Sequence, residues 1–220
     1  MKAIAVVSGG LDSVTLAYLL KSQGYSLHLL SFDYGQRHQK ELVYAQRCAN
    51  QLGAYYDLIN ISTIRRFLSG SALTDDISVP DGHYSSPTMA ITVVPNRNAI
   101  MLSIAYGVAV SEGADLVAIG VHVGDHPIYP DCRPDFISAF DAMERLATEG
   151  YSSPNLKLLA PFIQMTKSDI VTIGATLGVP YQNTWSCYKG NEYHCGKCGT
   201  CVERKEAFYL AGIPDPTRYE

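Results

Sequence analysis

The stretch KAIAVVSGGLDSVT, residues 2–15, decides the fold. Its first part, residues 2–7, is short, apolar and rich in β-branched side chains, which is typical of a buried parallel strand. The SGG sequence at 8–10 predicts a turn, and residues 12–23 predict a helix that ends before Gly24. A strand, a glycine turn and a helix in immediate succession form the opening unit of an α/β domain.

The same alternation of strand and helix continues outward from this unit. Further strands are predicted at 26–32, 56–61, 115–121 and 156–160, and further helices at 42–52, 97–112, 136–146 and 166–177. We therefore expect an α/β domain with a parallel sheet over residues 1–184, followed by a small metal-binding module over 185–220. Residues 68–95 are rich in proline and glycine, and a loop this long in a compact domain is usually functional.

Composition excludes several classes of protein. The chain has 220 residues, 47% hydrophobic and 17% charged, with a formal net charge of −4. These values exclude disorder and argue against binding to nucleic acid or to anionic membrane. No apolar run approaches the roughly 20 residues of a membrane span, and the apolar start at 3–7 is too short for a signal peptide. We expect a cytoplasmic protein whose six cysteines are not in disulfides.

The SGGLDS loop at 8–13 has the features of a phosphate site. Its glycines let backbone N–H groups approach an anion, and the following helix adds the positive end of its dipole. Ser8 and Ser13 add hydroxyl donors at the carboxyl end of a strand, where open α/β sheets bind ligands. The loop matches neither the Walker A nor the G-x-G-x-x-G pattern, and a bare Gly-Gly pair would indicate only a tight turn.

Four cysteines with the spacing C-x7-C-x2-C-x2-C predict a structural zinc site; they are Cys187, Cys195, Cys198 and Cys201. Gly196 and Gly199 lie in the two short gaps, where tight turns need a permissive backbone. A redox pair and an iron–sulfur cluster are the alternatives, with His194 as a possible substitute ligand. Cys48 lies on the apolar stripe of a predicted helix, which indicates core packing.

The SGGLDS string on the first strand–helix turn resembles the pyrophosphate loop of the N-type ATP pyrophosphatases. These enzymes transfer AMP from ATP to a substrate oxygen and release pyrophosphate. The resemblance implies a Rossmann-like parallel sheet with helices on both faces, and it places Asp12 near the metal of a Mg–ATP co-substrate. The residues that it implies for ATP binding are Val7, Ser8, Gly9, Gly10, Leu11, Asp12, Ser13, Val14 and Thr15.

Further motifs resemble one family of this group over nearly the whole chain. They are FDYGQRHQKE (32–41), VPNRN (94–98), YPDCRPDF (129–136), TK (166–167) and the four cysteines, which occur in the order of the 7-cyano-7-deazaguanine synthase family of queuosine biosynthesis. Two departures stand out. Asn96 replaces the usual glycine of that family, and residues 126–128 replace its usual aromatic-Ser-Gly run.

The resemblance implies ATP-dependent conversion of 7-carboxy-7-deazaguanine and ammonia to the nitrile, by a homodimer with one zinc per chain. It implies catalytic roles for Asp12, Lys167, Arg97 and Arg133, and substrate binding by Arg97, Asn98, Asp131 and Arg133. Two alternatives remain: an adenylating enzyme that thiolates or amidates tRNA, which the net charge of −4 opposes, and a zinc- and ATP-binding interaction module without catalysis.

The remaining candidates each have two interpretations. Arg97 and Asn98 either clamp a phosphate or carboxylate, or serve as a solvated side chain and a cap. Lys167 begins a helix, which is unfavourable for a cation and indicates a task such as neutralising phosphates. Cys132 is a nucleophile or a buried filler. A second metal or plain polar lining is expected at His122, Asp125 and His126, and a border for adenine and ribose at Asp33, Tyr34 and Gln36.

Overall fold

The computed structural model describes residues 1–220 and contains one five-stranded sheet. Its strands are β1 (Lys2–Val6), β2 (Ser26–Asp33), β3 (Tyr55–Asn60), β4 (Leu116–Ala118) and β5 (Lys157–Leu159). They lie in the order β3-β2-β1-β4-β5, and every neighbouring pair is parallel. The predicted parallel sheet is confirmed, with the apolar first strand at its centre.

Helices cover both faces of the sheet. They are α1 (Leu11–Ser22), α2 (Lys40–Leu52), α3 (Arg97–Ser111), α4 (Pro134–Ala147), α5 (Lys167–Thr176) and α6 (Gly199–Leu210). Successive side chains of β1 point to opposite faces, so Ala3 and Ala5 join one hydrophobic core and Ile4 joins the other. The first core packs α1, α2, α5 and α6, and the second packs α3 and α4. No helix is long and apolar enough to cross a membrane.

The strand order creates a crevice between β1 and β4. The chain runs outward from β1 through β2 to β3, then returns to build β4 and β5 on the other side of β1. Loops that leave such a switch point diverge, and the ligand site of an open α/β sheet lies between them. Gly120 follows β4 here, and a Cβ on it would lie 3.2 Å from the backbone carbonyl of Asp12. Glycine at 120 therefore lets the chain after β4 approach the first turn of α1 closely.

The segment at 185–220 packs onto the α/β domain through a shared core. Ala207 and Phe208 of α6 belong to the first core. Arg204 is 1% exposed and donates hydrogen bonds to Thr184 Oγ1 (2.8 Å) and to the carbonyl of Tyr181 (3.0 Å). A buried guanidinium with these partners fixes α6 against the domain.

Part of the proline- and glycine-rich segment contacts the cysteine segment and α6. We call residues 81–92 the strap. Its Asp81 pairs with Lys189 (Oδ1–Nζ, 2.6 Å), and the N–H of Gly82 donates to the carbonyl of Lys197 (3.0 Å). His83 lies 3.4 Å from Glu206 of α6. The strap is thus attached to the cysteine segment rather than to the sheet.

Asn96 immediately precedes α3 and has φ 58°, the one non-glycine residue with positive φ in the chain. Asparagine tolerates this left-handed conformation better than most residues, and glycine adopts it freely. Asparagine at 96 is therefore compatible with a backbone conformation that glycine would also adopt.

Candidate active site

A cavity of about 250 Å³ opens at the carboxyl ends of β1, β2 and β4. One wall, which we call the phosphate wall, contains Ser8, Gly10, Leu11, Asp12, Ser13, Lys167 and Glu203. A second part of the lining, which we call the aromatic wall, contains Tyr34, Arg97, Tyr129 and Tyr188. The cavity thus joins a polar half beside the glycine loop to a half suited to a flat ring.

The glycine loop is shaped by two close approaches. Gly9 has φ +87°, and a Cβ on it would lie 2.2 Å from the backbone carbonyl of Glu41 in α2. The hydroxyls of Ser8 and Ser13 lie 3.2 Å apart, and Ser13 also donates to the carbonyl of Gly10 (3.2 Å). The N–H groups in the first turn of α1 have no intrahelical partner, so this end of the helix can bind an anion.

Not every residue of the implied ATP-binding run faces the cavity. Val14 is buried in the first core. Thr15 is fully buried, donates to the carbonyl of Leu11 (2.8 Å) and lies 3.2 Å from the hydroxyl of Tyr181. These two side chains hold α1 against its neighbours, and the cavity-lining part of the run ends at Ser13.

Lys167 lies between two carboxylates. Its Nζ is 3.3 Å from Asp12 Oδ2 and 2.5 Å from Glu203 Oε2. Burial lowers the pKa of Lys167, but Asp12 and Glu203 more than offset this effect and hold the pKa above its usual range. The predicted capping pair is present: Thr166 accepts from the N–H of Asp169, which accepts in return from the N–H of Thr166. Lys167 is therefore charged and begins a well-capped helix.

His122 organises the loop after β4. Its Nδ1 accepts a hydrogen bond from the N–H of Gly124 (3.0 Å), so the neutral ring has its proton on Nε2. That buried Nε2 has no hydrogen-bond partner and lies 3.7–4.0 Å from carboxylate oxygens of Asp125, Glu203 and Asp12. These groups do not form a compact ligand set, because only the four cysteines do so in this chain. The structure therefore favours polar lining at His122 and Asp125 over a second metal site of protein ligands alone.

Arg97 presents an unpaired guanidinium on the aromatic wall. It lies 6.0 Å from the ring centre of Tyr34, and no carboxylate lies within 4.0 Å of it. Glu41 also lines the cavity; burial raises its pKa to about 7, although Arg97 and Gln36 oppose the increase. A half-buried arginine without a carboxylate partner is suited to bind one from a ligand.

Asp131, Cys132 and Arg133 are adjacent in sequence but have different surroundings in the structure. Asp131 Oδ2 accepts from the N–H of Asn98 (2.9 Å) and so caps α3. Asn98 also donates to Cys132 Sγ (3.2 Å), and both line the cavity. Burial raises the pKa of the Cys132 thiol well above its usual range, which favours the filler over the nucleophile. Arg133 is exposed, donates to the carbonyl of His126 (2.9 Å) and does not line the cavity.

The four cysteines of the C-terminal cluster are buried, and their Sγ atoms all lie within 4.8 Å of one another. Cys195 and Cys201 Sγ are 3.9 Å apart, close to the ~3.8 Å that Zn–S bonds of about 2.3 Å give in a tetrahedron. The N–H groups of Lys189 and Cys198 point at Sγ atoms of Cys187 and Cys195, as they do toward thiolates. The residues present fit one metal ion.

This geometry disfavours the alternatives for the cluster. In a four-iron cluster each thiolate binds a different iron, so the sulfurs lie farther apart than around one ion. A redox pair would use two cysteines and leave two without a role. Nε2 of His194 accepts from the N–H of Ser186 (3.0 Å), and its pKa is lowered to about 4, mainly by burial. His194 is thus a neutral packing residue beside the cluster.

Glu203 and Tyr188 are among the cavity residues that were not predicted from the sequence. Tyr188 follows the ligand Cys187, and Glu203 lies two positions after Cys201. Their partners lie on other elements, such as Lys167 for Glu203. The only local signal was proximity to the cysteines, which places a side chain near the cluster without indicating that the cluster borders the cavity.

The fold and the loop together define a class: open α/β proteins with a parallel sheet and a glycine-rich loop after the first strand. NMN synthetase from Francisella tularensis has the same fold, with a TM-score of 0.54, 14% identity, and coverage of 97% of this chain and 78% of that one. The ammonia-dependent NAD synthetase from Campylobacter jejuni also has this fold, with a TM-score of 0.50 and 17% sequence identity. The match covers 96% of this chain and 75% of that one.

Sequence comparison identifies the family. The model of queuosine biosynthesis protein QueC matches residues 2–212. Proteins named 7-cyano-7-deazaguanine synthase from Brucella ovis and Brucella anthropi are each 60% identical to this chain over 220 residues, which is 100% of this chain and 94% of theirs. The chain belongs to the QueC family, the 7-cyano-7-deazaguanine synthases, and the resemblance drawn from its motifs is confirmed.

Proposed function

We propose that this chain converts 7-carboxy-7-deazaguanine to 7-cyano-7-deazaguanine with ATP and ammonia, in queuosine biosynthesis. The observation that carries the proposal is that the glycine loop and Arg97 face the same cavity. ATP bound at the loop and a flat acid bound at the aromatic wall would therefore meet within it. The 60% identity to synthases of this name supports the substrate.

The first half-reaction makes the acid reactive. A carboxylate is a poor electrophile because its leaving group would be oxide. One carboxylate oxygen attacks the α-phosphate of ATP, pyrophosphate departs, and the acid becomes an acyl adenylate. Lys167 and the loop N–H groups would offset the charge that develops on the phosphates. Ammonia then attacks the acyl carbon, AMP leaves, and a primary amide forms as the added nitrogen loses a proton.

The second half-reaction removes the remaining oxygen. The amide oxygen attacks the α-phosphate of a second ATP and pyrophosphate leaves again. Loss of AMP with the amide oxygen, and of the remaining N–H protons, leaves the carbon–nitrogen triple bond. One cavity performs both steps if it presents the α-phosphate at near-attack distance to the same substrate position. The complete reaction consumes two ATP per nitrile and releases two AMP and two pyrophosphate.

The aromatic wall would hold the substrate. Tyr34, Tyr129 and Tyr188 offer surfaces for the planar deazaguanine, and Arg97 would pair with its carboxylate. Asn98 lies beside them, and Asp131 acts behind it by capping α3. The exposed position of Arg133 makes Arg97 the stronger candidate for the acid.

Two metals belong to the proposal. Zinc at the four cysteines would be structural, since a four-thiolate site has no open position, and metal analysis should find one zinc per chain. Magnesium would accompany ATP near Asp12, whose Oδ1 is buried without a hydrogen-bond partner. We further propose that the protein acts in the cytoplasm as a homodimer, the commonest assembly of soluble proteins.

The test is incubation of the purified protein with ATP, ammonia and candidate acids, with mass spectrometry of the products. We expect the nitrile, two AMP per nitrile, and conversion of the purified amide with one ATP. ATP turnover that does not require the deazaguanine acid would favour action on tRNA or a non-catalytic module. If the purified amide is not converted, the shared-site path is wrong even when the acid yields nitrile.

A further inference from the structure

Glu203 contacts both the site lysine and the loop after β4. It lies on α6 and is 8% exposed, with Oε2 at 2.5 Å from Lys167 Nζ and Oε1 at 3.8 Å from His122 Nε2. The sequence places it in the cysteine segment rather than in any motif of the nucleotide site. Its only cationic partner is the lysine that faces the phosphate wall.

The ammonium of Lys167 contacts two carboxylates, those of Asp12 and Glu203. Asp12 Oδ2 lies 3.3 Å from its Nζ, and without Glu203 the ammonium would pair with Asp12 alone. That pairing would draw Lys167 onto Asp12 in the first turn of α1 and neutralise the carboxylate proposed to lie near magnesium. The N-terminal position of Lys167 on α5 adds to the need for a partner, because the helix dipole disfavours a cation there.

We propose that Glu203 is a positioning residue for Lys167, which holds the ammonium between the two carboxylates so that it does not pair with Asp12 alone. The inference rests on the proposed function and names a residue through which the cysteine segment acts on the nucleotide site.

The location of Glu203 couples it to the cysteine cluster. Cys198 immediately precedes α6 and Cys201 lies in its first turn, so the metal ligands fix the start of the helix that carries Glu203. Arg204, the next residue, anchors the same turn through Thr184 and Tyr181. Glu203 is therefore fixed by the metal ligands that precede it and by Arg204 that follows it. A residue that orients another side chain needs such a fixed position.

Pyrophosphate binding to the metal-loaded, full-length protein tests the inference without requiring turnover. Removal of a carboxylate beside an anion site should by itself strengthen binding, because repulsion is lost. A positioning role predicts the opposite. In calorimetry, Glu203→Gln should bind pyrophosphate about 10-fold more weakly than the unmodified protein. Glu203→Asp keeps the charge, but its side chain is one methylene shorter and cannot contact Lys167 in the same way. This variant should also bind pyrophosphate more weakly.

A double-mutant cycle identifies Lys167 as the route of the effect. In a Lys167→Ala background, Glu203→Gln should cause no further loss of affinity, since Glu203 acts only through the lysine. Glu192→Gln is the matched control, because Glu192 is an exposed carboxylate of the same cysteine segment with no side-chain partner, and it should bind as the unmodified protein does. Metal content and melting temperature are measured for each variant.

Kinetics give the second readout. Glu203→Gln should lower kcat about 10-fold with little change in KM for the acid, and Glu203→Asp should recover part of the loss. The inference would be overturned if Glu203→Gln bound pyrophosphate as tightly as the unmodified protein or more tightly. It would also be overturned if the double variant lost the product of the two single-variant losses in affinity. A lack of nitrile from the unmodified protein would instead count against the proposed function, because the binding cycle stands without catalysis.

Discussion

The backbone N–H of Trp185 donates a 2.9 Å hydrogen bond to the carbonyl of Gly9. Trp185 is the first residue of the C-terminal segment, and Gly9 lies in the loop that would bind the phosphates of ATP. The indole also donates to the carbonyl of Cys187 (2.8 Å), the first ligand of the cluster. The glycine loop is therefore braced by the cysteine segment on one side and by α2 on the other.

Replacement of Gly9 by alanine should be far more costly than the same change at another left-handed glycine. Gly24 has φ +84°, and a Cβ added to it would have no atom within 4 Å, whereas a Cβ on Gly9 would meet the backbone of Glu41. Gly24→Ala should cost about 1–2 kcal/mol of unfolding free energy, the conformational strain alone. Gly9→Ala should cost at least about 3 kcal/mol. Chemical denaturation measures both, and equal losses would show that α2 yields to the new methyl group.

Lys167→Ala should slow both half-reactions by a similar factor, roughly 100-fold, because both use the same phosphate wall. The measurement is the rate of pyrophosphate release with the acid plus ammonia, and separately with the purified amide. Lys157→Ala, an exposed lysine on β5, serves as the control and should keep both rates. A loss confined to one substrate would contradict a shared site for the two adenylations.

Arg97→Ala should raise KM for the acid by roughly 10- to 100-fold, because a charge-assisted pair is lost. The amide carries no charge, so its KM should change by less than about threefold. Arg133→Ala, which removes an exposed guanidinium outside the cavity, should leave both values near those of the unmodified protein. The reverse pattern for the two arginines would move the acid-binding site to the loop after β4.

Glu41 should make the protein less stable as pH rises. Burial raises its pKa from 4.5 to about 7 in the folded state, so the folded chain holds the proton that the unfolded chain loses. The resulting stability is complete below about pH 4.5 and is lost as pH rises through about 7. Glu41→Gln should remove a decline on the order of 1–3 kcal/mol across this range.

Denaturation curves at several pH values measure the effect, with Glu149→Gln as the control because Glu149 is exposed. If the unmodified protein and Glu41→Gln show parallel pH profiles, Glu41 is not protonated in the folded state.

Local patterns predicted the features that depend on neighbouring residues. The apolar run at 2–7, the capping pair Thr166 and Asp169, and Gly53 after α2 all describe short segments whose geometry is set within a few positions. The strand predicted at 115–121 is shorter and covers Leu116–Ala118. Strand ends depend on which neighbour is present, and a single sequence does not show this.

Roles that depend on distant contacts were harder to predict. Arg97 and Arg133 looked equivalent, since each lies near a helix start, and only the fold shows that one lines the cavity while the other is exposed. Thr15 belongs to the implied ATP-binding run but bonds to Tyr181. The role inferred for Glu203 depends on its contact with Lys167, which lies on another helix and is distant in sequence.

The hydrogen bond between Trp185 and Gly9 also determines when the site can exist during synthesis. The loop at Gly9 is made early, but its braces, Trp185 and then Glu203, follow only after the whole sheet has been translated. A nascent chain that has released α1 through β5 therefore has a sheet without a finished nucleotide site. A chain cut short before α6 keeps Trp185 but lacks Glu203, and we expect it to be inert toward ATP.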